Sequence, residues 1–310
     1  MLISVCVITY KRAKGLKLLL KGLNELTFTK IERPDIEVIV VDNDSAGVAE
    51  KVCAEIKPEF QWTLKTGIET QRGITYARNK SVSLASENSD FIAIVDDDEI
   101  PEKNWLEELL LAQQEHNAAI VTGPAVPIFE NDHAPEWIRN CGYFEAPRYP
   151  DGEEKEVAFT NNVMIKADIL RELNPVFDHR FALSGGSDSY LFLNLTKAGH
   201  KIVWADNAVV YDDIPASRTK LKWILFRSYR MWSNYSAFEL ELYPSIANQF
   251  IRLLKGFALI FIGIFRLIPS LIMGRAFIAK SLINISQGMG TIGGLAGLFY
   301  QDYKHEVYTE

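Results

Sequence analysis

Cysteine is scarce in this chain. Cys6, Cys53 and Cys141 are the only three in 310 residues, widely spaced, with no CxxC pair and no histidines close by. That set excludes a disulfide framework and a zinc site of the usual spacing, and makes a reducing, cytoplasmic compartment the expectation. The basic region and cleavage site of a signal peptide are also lacking, because Met1-Leu2-Ile3-Ser4 enters a β-branched stretch at once. No run of basic residues with interleaved aromatics appears, so nucleic acid is not an expected partner. Nor is there a run of about 20 apolar residues; the longest clean one, Gly256 to Phe265, stops at Arg266 and Pro269, too short to cross a bilayer. Thr9-Tyr10-Lys11-Arg12, after the first apolar run, holds no glycine. This argues against the phosphate-cradling loop expected of a sugar-phosphate nucleotidyltransferase.

What the chain does carry is unevenly distributed. Its net charge is −7, yet Ile214 to Leu282 holds ten Lys and Arg against two acids, Glu239 and Glu241, a local +8 that leaves −15 on the rest. An acidic body and a basic, apolar tail predict two surfaces with different partners.

In the body, apolar runs alternate with helical patterns. Ile3 to Tyr10 is β-branched, and Lys11 to Leu26 follows with Leu16, Leu19, Leu20 and Leu23 at helical spacing. Ile36 to Val41 runs into Asp42-Asn43-Asp44-Ser45, suited to a turn or helix cap, and Ala46 to Ile56 is helical. Phe60 to Lys65 reads as a third strand and Gly73 to Ala85 as a third helix. A fourth strand ends at Val95, and a helix over Glu102 to His116 has Pro101 at its start. The alternation predicts an α/β fold with a mostly parallel central sheet and helices on both faces. Further strands are expected at Ala118 to Gly123 and Val157 to Ile165, a glycine loop at Leu183 to Asp188, and a long basic helix over Ser217 to Ser236. Residues 1–213 are therefore read as one domain and 214–310 as a C-terminal helical region.

Phe91 to Val95 is short, apolar and rich in Ile and Val, as strands buried on both faces are, and it ends in Asp96-Asp97-Asp98-Glu99. Four carboxylates so close raise one another's pKa unless something cationic neutralises them. The carboxyl ends of strands are where open α/β sheets bind ligands. The alternatives are an acidic turn solvated by water, or a divalent metal carrying a phosphorylated ligand. Two other strand ends suit the second: Tyr10, beside Thr9, offers a face for base stacking, and Asp42 an acceptor for a base or ribose donor.

Taken in order, Val7 to Arg12, Val40 to Ser45, Gly73 to Asn79 and Val95 to Glu99 resemble the inverting family 2 glycosyltransferases, which share the nucleotide-sugar-binding GT-A fold. Gly185-Gly186-Ser187-Asp188 and Trp204 through Arg218 look like the subset that builds bacterial exopolysaccharides. The resemblance implies a UDP-sugar donor, with Thr9, Tyr10 and Asp42 on the uracil and ribose and Arg78 supporting the pocket. Asp96 would stand on the ribose side and Asp98 would ligate Mn2+ or Mg2+ on the diphosphate, with Asp96 a second candidate ligand and Asp97 either cofactor-binding or structural. Asp188 would be the general base, although Ser187 and Tyr190 stand where the family often has acids; the alternative is that Asp188 caps the next helix. Arg218, Arg227 and Arg230 either steady the leaving diphosphate or form a solvated or lipid-facing stripe. His133, Trp137 and Asn162 lie in the presumed acceptor region. The implied activity is transfer of a sugar to a glycan or lipid-linked saccharide in polysaccharide assembly. A non-catalytic, membrane-bound carbohydrate-binding scaffold is the alternative of another class.

Phe250 to Ile285 is mostly apolar, interrupted by Arg252, Lys255, Arg266 and Arg275. Such a segment is expected to lie on the cytosolic face of the membrane without crossing it, its cations reaching anionic headgroups. The alternatives are a helical cap on the body or a homo-oligomer interface.

Overall fold

The computed structural model describes residues 1–129 and 134–298. Within it, Met1–Val126 and Pro147–Asp212 form one compact unit, and Pro127–Ala146 groups with the segment from Asp213 onward in a second. The chain runs β1 (Leu2–Thr9), α1 (Ala13–Asn24), β2 (Asp35–Asp42), α2 (Val48–Ile56), β3 (Thr63–Ile68), α3 (Ile74–Ser83), β4 (Phe91–Ile94), β5 (Glu99–Pro101) and α4 (Trp105–His116). There follow β6 (Ile120–Thr122), β7 (Ala125–Phe129), α5 (Glu136–Arg139), β8 (Glu154–Lys155), β9 (Val163–Lys166), α6 (Ala167–Arg171) and α7 (Ser187–Lys197). The last elements are β10 (Ile202–Trp204), β11 (Val210–Ile214), α8 (Leu221–Leu242), α9 (Ile246–Met273) and α10 (Arg275–Leu295).

Eight strands make the main sheet in the order β3-β2-β1-β4-β9-β6-β10-β8. Pairings among β3, β2, β1 and β4 are parallel, as is β6 with β10; β9 runs antiparallel to both its neighbours. Because the strands are buried on both faces, their side chains feed two cores. Val5, Val7, Val38, Val40 and Ala93 point towards α1, α2 and α4, where Leu16, Leu19, Leu20 and Leu23 form the α1 stripe read from spacing. Cys6, Ile39, Val41, Ile92 and Ile94 point the other way, towards Ala77, Leu191 and Phe192. Each fully buried Leu or Ile contributes about 1.5–3 kcal/mol, so the two layers fix the strand ends firmly.

From β1 the chain builds outward on one side through β2 and β3, then returns to place β4 on the other. That reversal falls between β1 and β4, and the carboxyl ends of strands at such a point are the usual ligand position in open α/β sheets. Thr9 lies in register with Asp42, and Val95 donates its N–H to the Cys6 carbonyl, so all three strand ends meet there.

One local reading is corrected. Pro101 does not open a helix; it ends β5, whose residues pair antiparallel with β11 (Glu99 with Asp212, Pro101 with Val210), and α4 starts only at Trp105. A second is shortened, since β9 starts at Val163, six residues past the expected Val157.

The second unit holds α5, α8, α9 and α10 around Ile138, Cys141, Ile224, Ala279 and Ile283. Helix α10 packs on both α8 and α9. Its backbone comes so close to α9 that a Cβ at Gly263 would lie 2.7 Å from the Ser281 carbonyl oxygen.

Candidate active site

The acidic run turns directly out of β4, and its four carboxylates take four different partners. Asp96 Oδ1 accepts from Arg78 Nη2 at 3.2 Å. Asp97 turns inward, its Oδ2 accepting from the Thr9 hydroxyl at 2.6 Å and its Oδ1 from Arg12 Nη1 at 3.0 Å. The same Arg12 nitrogen donates to Asp98 Oδ2 at 2.8 Å, so one guanidinium clamps two neighbouring acids. Glu99, 2 % exposed in β5, receives Asn161 Nδ2 on Oε1 at 3.2 Å, while its buried Oε2 has no hydrogen-bond partner.

Burial raises all the acids whose shifts are resolved here. Asp97 is pushed up by burial and pulled back by Arg12. Asp96 is raised by burial, opposed by Arg78 and reinforced by Asp98 and Asp188. Glu99 is driven well above the usual carboxylate range by burial and then by Asp212, Asp98 and Asp96. Carboxylates in this condition take either a proton or a cation. One carboxylate oxygen each of Asp98, Glu99 and Asp212 lie within 4.8 Å of one another, and Glu99 has an oxygen, Oε2, that is buried without a hydrogen-bond partner. Three hard oxygen donors fit Mg2+ or Mn2+ and do not choose between them.

Of the two ligands expected from the sequence, Asp98 stands in this group with Glu99 and Asp212, and Asp96 is paired with Arg78. Asp97 is structural, spent on Thr9 and Arg12. Asp212 lies in the Trp204–Arg218 stretch, where the sequence reading does not single it out; the β5–β11 pairing brings it to Glu99.

At the neighbouring strand ends, Asp42 is 1 % exposed and its two oxygens accept from the backbone N–H groups of Asp44 and Ala49, each at 2.9 Å. It therefore shapes the entry to α2, and a nucleotide would meet only its remaining lone pairs. Thr9 likewise ties β1 to the acidic turn through Asp97. Tyr10 is half-buried, with Lys11 Nζ 5.1 Å and the Arg72 guanidinium 5.8 Å from its ring centre. The sequence reading missed Arg72. It also missed Asn43, which receives Gly73 N–H and donates to the carbonyls of Glu69 and Gln71, closing the loop that carries Arg72.

Arg78 links this floor to the expected base. It is 4 % exposed on α3, with Nη2 on Asp96 and Nη1 3.5 Å from the Ser187 hydroxyl. Gly185 and Gly186, at φ 72° and 87°, make the left-handed turn that opens α7, a conformation glycine adopts without steric cost. Gly186 is the cap, so Asp188 is not; it sits in the first turn, half-buried, its Oδ1 accepting from Ser189 N–H at 2.8 Å. Its charge is felt at Asp96, which it helps to raise.

Other expected residues lie elsewhere. Asn162 is fully buried, accepting from Trp105 Nε1 at 2.8 Å and donating to the carbonyls of Pro124 and Ala208 at 3.0 and 2.7 Å. It is corrected from acceptor contact to scaffold. Trp137 packs against the Ile138 cluster of the second unit, and His133 lies outside the described residues. Arg218, Arg227 and Arg230 also belong to the second unit; Arg230 is buried and Arg227 lies 5.9 Å from the Trp223 ring centre, so the expected solvated stripe does not form.

A parallel sheet whose reversal point gathers a stackable tyrosine, a cation-ready acid group and a separate carboxylate on an opening helix defines the GT-A class of glycosyltransferases. Residues 4–173 match the profile described as Glycosyl transferase family 2, and the chain belongs to that family. Succinoglycan biosynthesis protein ExoM of Rhizobium meliloti is 30% identical over 230 residues, 74% of this chain and 72% of that protein. A glucosyl-dolichyl phosphate glucuronosyltransferase of Haloferax volcanii is 24% identical over 250 residues, 73% and 76% of the two. Among solved structures, mannosyltransferase PcManGT from Pyrobaculum calidifontis, in complex with GDP-Man and Mn2+, shares the fold at TM-score 0.63 and 16% identity, covering 94% of this chain and 86% of that one. S. aureus TarS 1-349 in complex with UDP does so at 0.51 and 16%, covering 97% and 93%.

Proposed function

We propose that this glycosyltransferase is metal-dependent and inverting, moving a sugar from a UDP-sugar to a glycan or lipid-linked saccharide in polysaccharide assembly at the cytosolic membrane surface. The observation that carries the reading is the bridge through Arg78, whose guanidinium reaches Ser187, the residue before Asp188, on one side and Asp96 of the acidic turn on the other. The UDP complex of one fold relative, the GDP-Man and Mn2+ complex of another, and the relatives' roles in succinoglycan and lipid-linked glycan chemistry support it.

In this mechanism Tyr10 stacks on the base, with Arg72 beside it, and Asp42 and Thr9 hold the strand ends against the nucleoside. Asp98, Glu99 and Asp212 would hold Mn2+ or Mg2+, which supplies positive charge beside the diphosphate. Asp188 accepts the proton of the acceptor hydroxyl while that oxygen bonds to the anomeric carbon from the face opposite UDP. The bond from the anomeric carbon to the diphosphate oxygen breaks as the new one forms, and its electron pair leaves with UDP. One positioned base suffices for such a displacement.

Asp188→Asn tests the role. Folding and UDP binding, followed by thermal shift with Mn2+ and with chelator, are expected to stay near those of the parent, while transfer falls roughly 100- to 10,000-fold. Ordinary turnover by this variant would remove Asp188 from the mechanism, and equal UDP binding in Mn2+ and in chelator would remove the metal.

A further inference from the structure

Among the described residues, α9 is the one helix long and apolar enough, by length and composition, to cross a membrane. It continues through Arg266 and Pro269, where the apolar run read from the sequence stops. Its buried side is narrow: Arg252, Gly256, Gly263 and Ser270 recur at helical spacing, and the last three meet α10, Ser270 Oγ lying 3.0 Å from Ser281 Oγ. Leu254, Phe257, Phe261, Phe265, Ile268 and Ile272 cover the opposite side, with Phe265 77% and Ile272 93% exposed.

The charges of α9 and α10 say what covers that face. The two helices carry Arg252, Lys255, Arg266, Arg275 and Lys280 and no carboxylate at all. Arg252 is buried against Glu239; the other four are exposed. Lys255 and Arg266 are eleven residues apart, three turns, so they project within about 20° of each other along one border of the apolar face. On a helix lying flat, that border runs at a single depth. On a helix standing upright the two would differ in depth by roughly 16 Å, placing at least one far from the headgroups. Crossing would also draw in α10, with Asn284 and Gln287, and behind it the charged α8 packed on α10. A second copy seated on the same face by a two-fold axis would set like-charged borders side by side, with no acid in either helix to answer them.

We propose that α9 lies in the plane of an anionic lipid surface, its apolar face among the acyl chains and Lys255 and Arg266 at the phosphates. This deepens the membrane part of the function proposed above and rests on it. The full chain is expected to float with vesicles of phosphatidylcholine and phosphatidylglycerol, to float less with phosphatidylcholine alone, and to be released by high salt. Phe261→Asp combined with Phe265→Asp should leave it in the soluble fraction at least tenfold more often; both side chains are exposed, so the fold is spared. Depth is read by placing a fluorophore on a cysteine at position 254 or 265, the three native cysteines being buried, and quenching it with brominated lipids. Equal depths support the proposal. A difference near 16 Å, or a soluble dimer that Phe261→Asp dissociates and that never floats, overturns it. UDP binding is followed in parallel: its loss with flotation intact counts against the transfer reading and leaves the docking standing.

Discussion

Gly15 is a sharp probe of how the acidic turn is held. A Cβ there would lie 2.7 Å from the backbone oxygen of Asp97, where ordinary contacts begin at 3.4 Å, so Gly15→Ala forces α1 and the turn apart by roughly 0.7 Å. Two effects oppose each other. Alanine in place of glycine stabilises a helix interior by about 1 kcal/mol, and overpacking against a backbone atom that cannot rotate away costs about 1–3 kcal/mol. The net expectation is a loss of about 0–2 kcal/mol, a shift of a few degrees in Tm. The functional effect should be larger, because the displaced peptide carries Asp97 and Asp98, and a shift near 1 Å costs on the order of 100-fold in rate. Leu16→Ala, next in the chain and fully buried, reverses the order: a cavity costs about 2–5 kcal/mol but nothing pushes on the turn. Denaturant unfolding and calorimetric titration of UDP with Mn2+ on both variants measure the two effects separately. If Gly15→Ala gains about 1 kcal/mol and binds UDP as the parent does, α1 has slack against the turn and the reasoning fails.

Three further outcomes follow from buried polar groups. Glu37 is raised by burial but lowered further by Lys65, Ser4 and Ser86, to about 2, so its stabilising share is complete above pH 4.5 and is lost as pH falls towards 2. That share is about 3 kcal/mol, and Glu37→Gln should flatten this arm of an acid-unfolding curve; an unchanged arm refutes the pairing. Asn162→Ala strands three buried partners at about 1–3 kcal/mol each, so urea unfolding should show a loss of about 3 kcal/mol or more while acceptor KM is unchanged; the opposite pattern would restore the acceptor role. Arg78→Gln leaves the half-buried Asp96 beside other acids and should cost about 1–3 kcal/mol. Adding Asp96→Asn should return part of it, and simple additivity in the double-variant cycle would show the two uncoupled.

The sequence made the sheet legible where local pattern and tertiary fate agree. The runs at Ile3, Ile36 and Phe91 are apolar but for Ser4 and Glu37 because the strands they form are covered on both faces, and the α1 leucines share one stripe because only one side of that helix meets the sheet. Strand ends could be read too, since each run stops at a polar residue. What local pattern does not encode is the partner of each polar side chain. Asp42 and Asn162 are both polar residues beside strands, and one shapes a turn while the other holds a tryptophan and two carbonyls that no motif mentions.

The same limit explains the acidic turn. Four acids in a row after a buried strand announce a cation, and three of them satisfy different demands: Asp96 is paired with Arg78, Asp97 braces Thr9 and Arg12, and Glu99 enters a strand. Arg78 answers Asp96, but one guanidinium, Arg12, is shared between Asp97 and Asp98, so acids outnumber bases and the cation is sought where the deficit is largest. That is the Glu99 end, where β11 adds Asp212 and where burial and then Asp212, Asp98 and Asp96 raise Glu99. Consecutive acids therefore point to the proposed metal group, while its third carboxylate, Asp212, depends on a strand pairing formed from the far end of the domain.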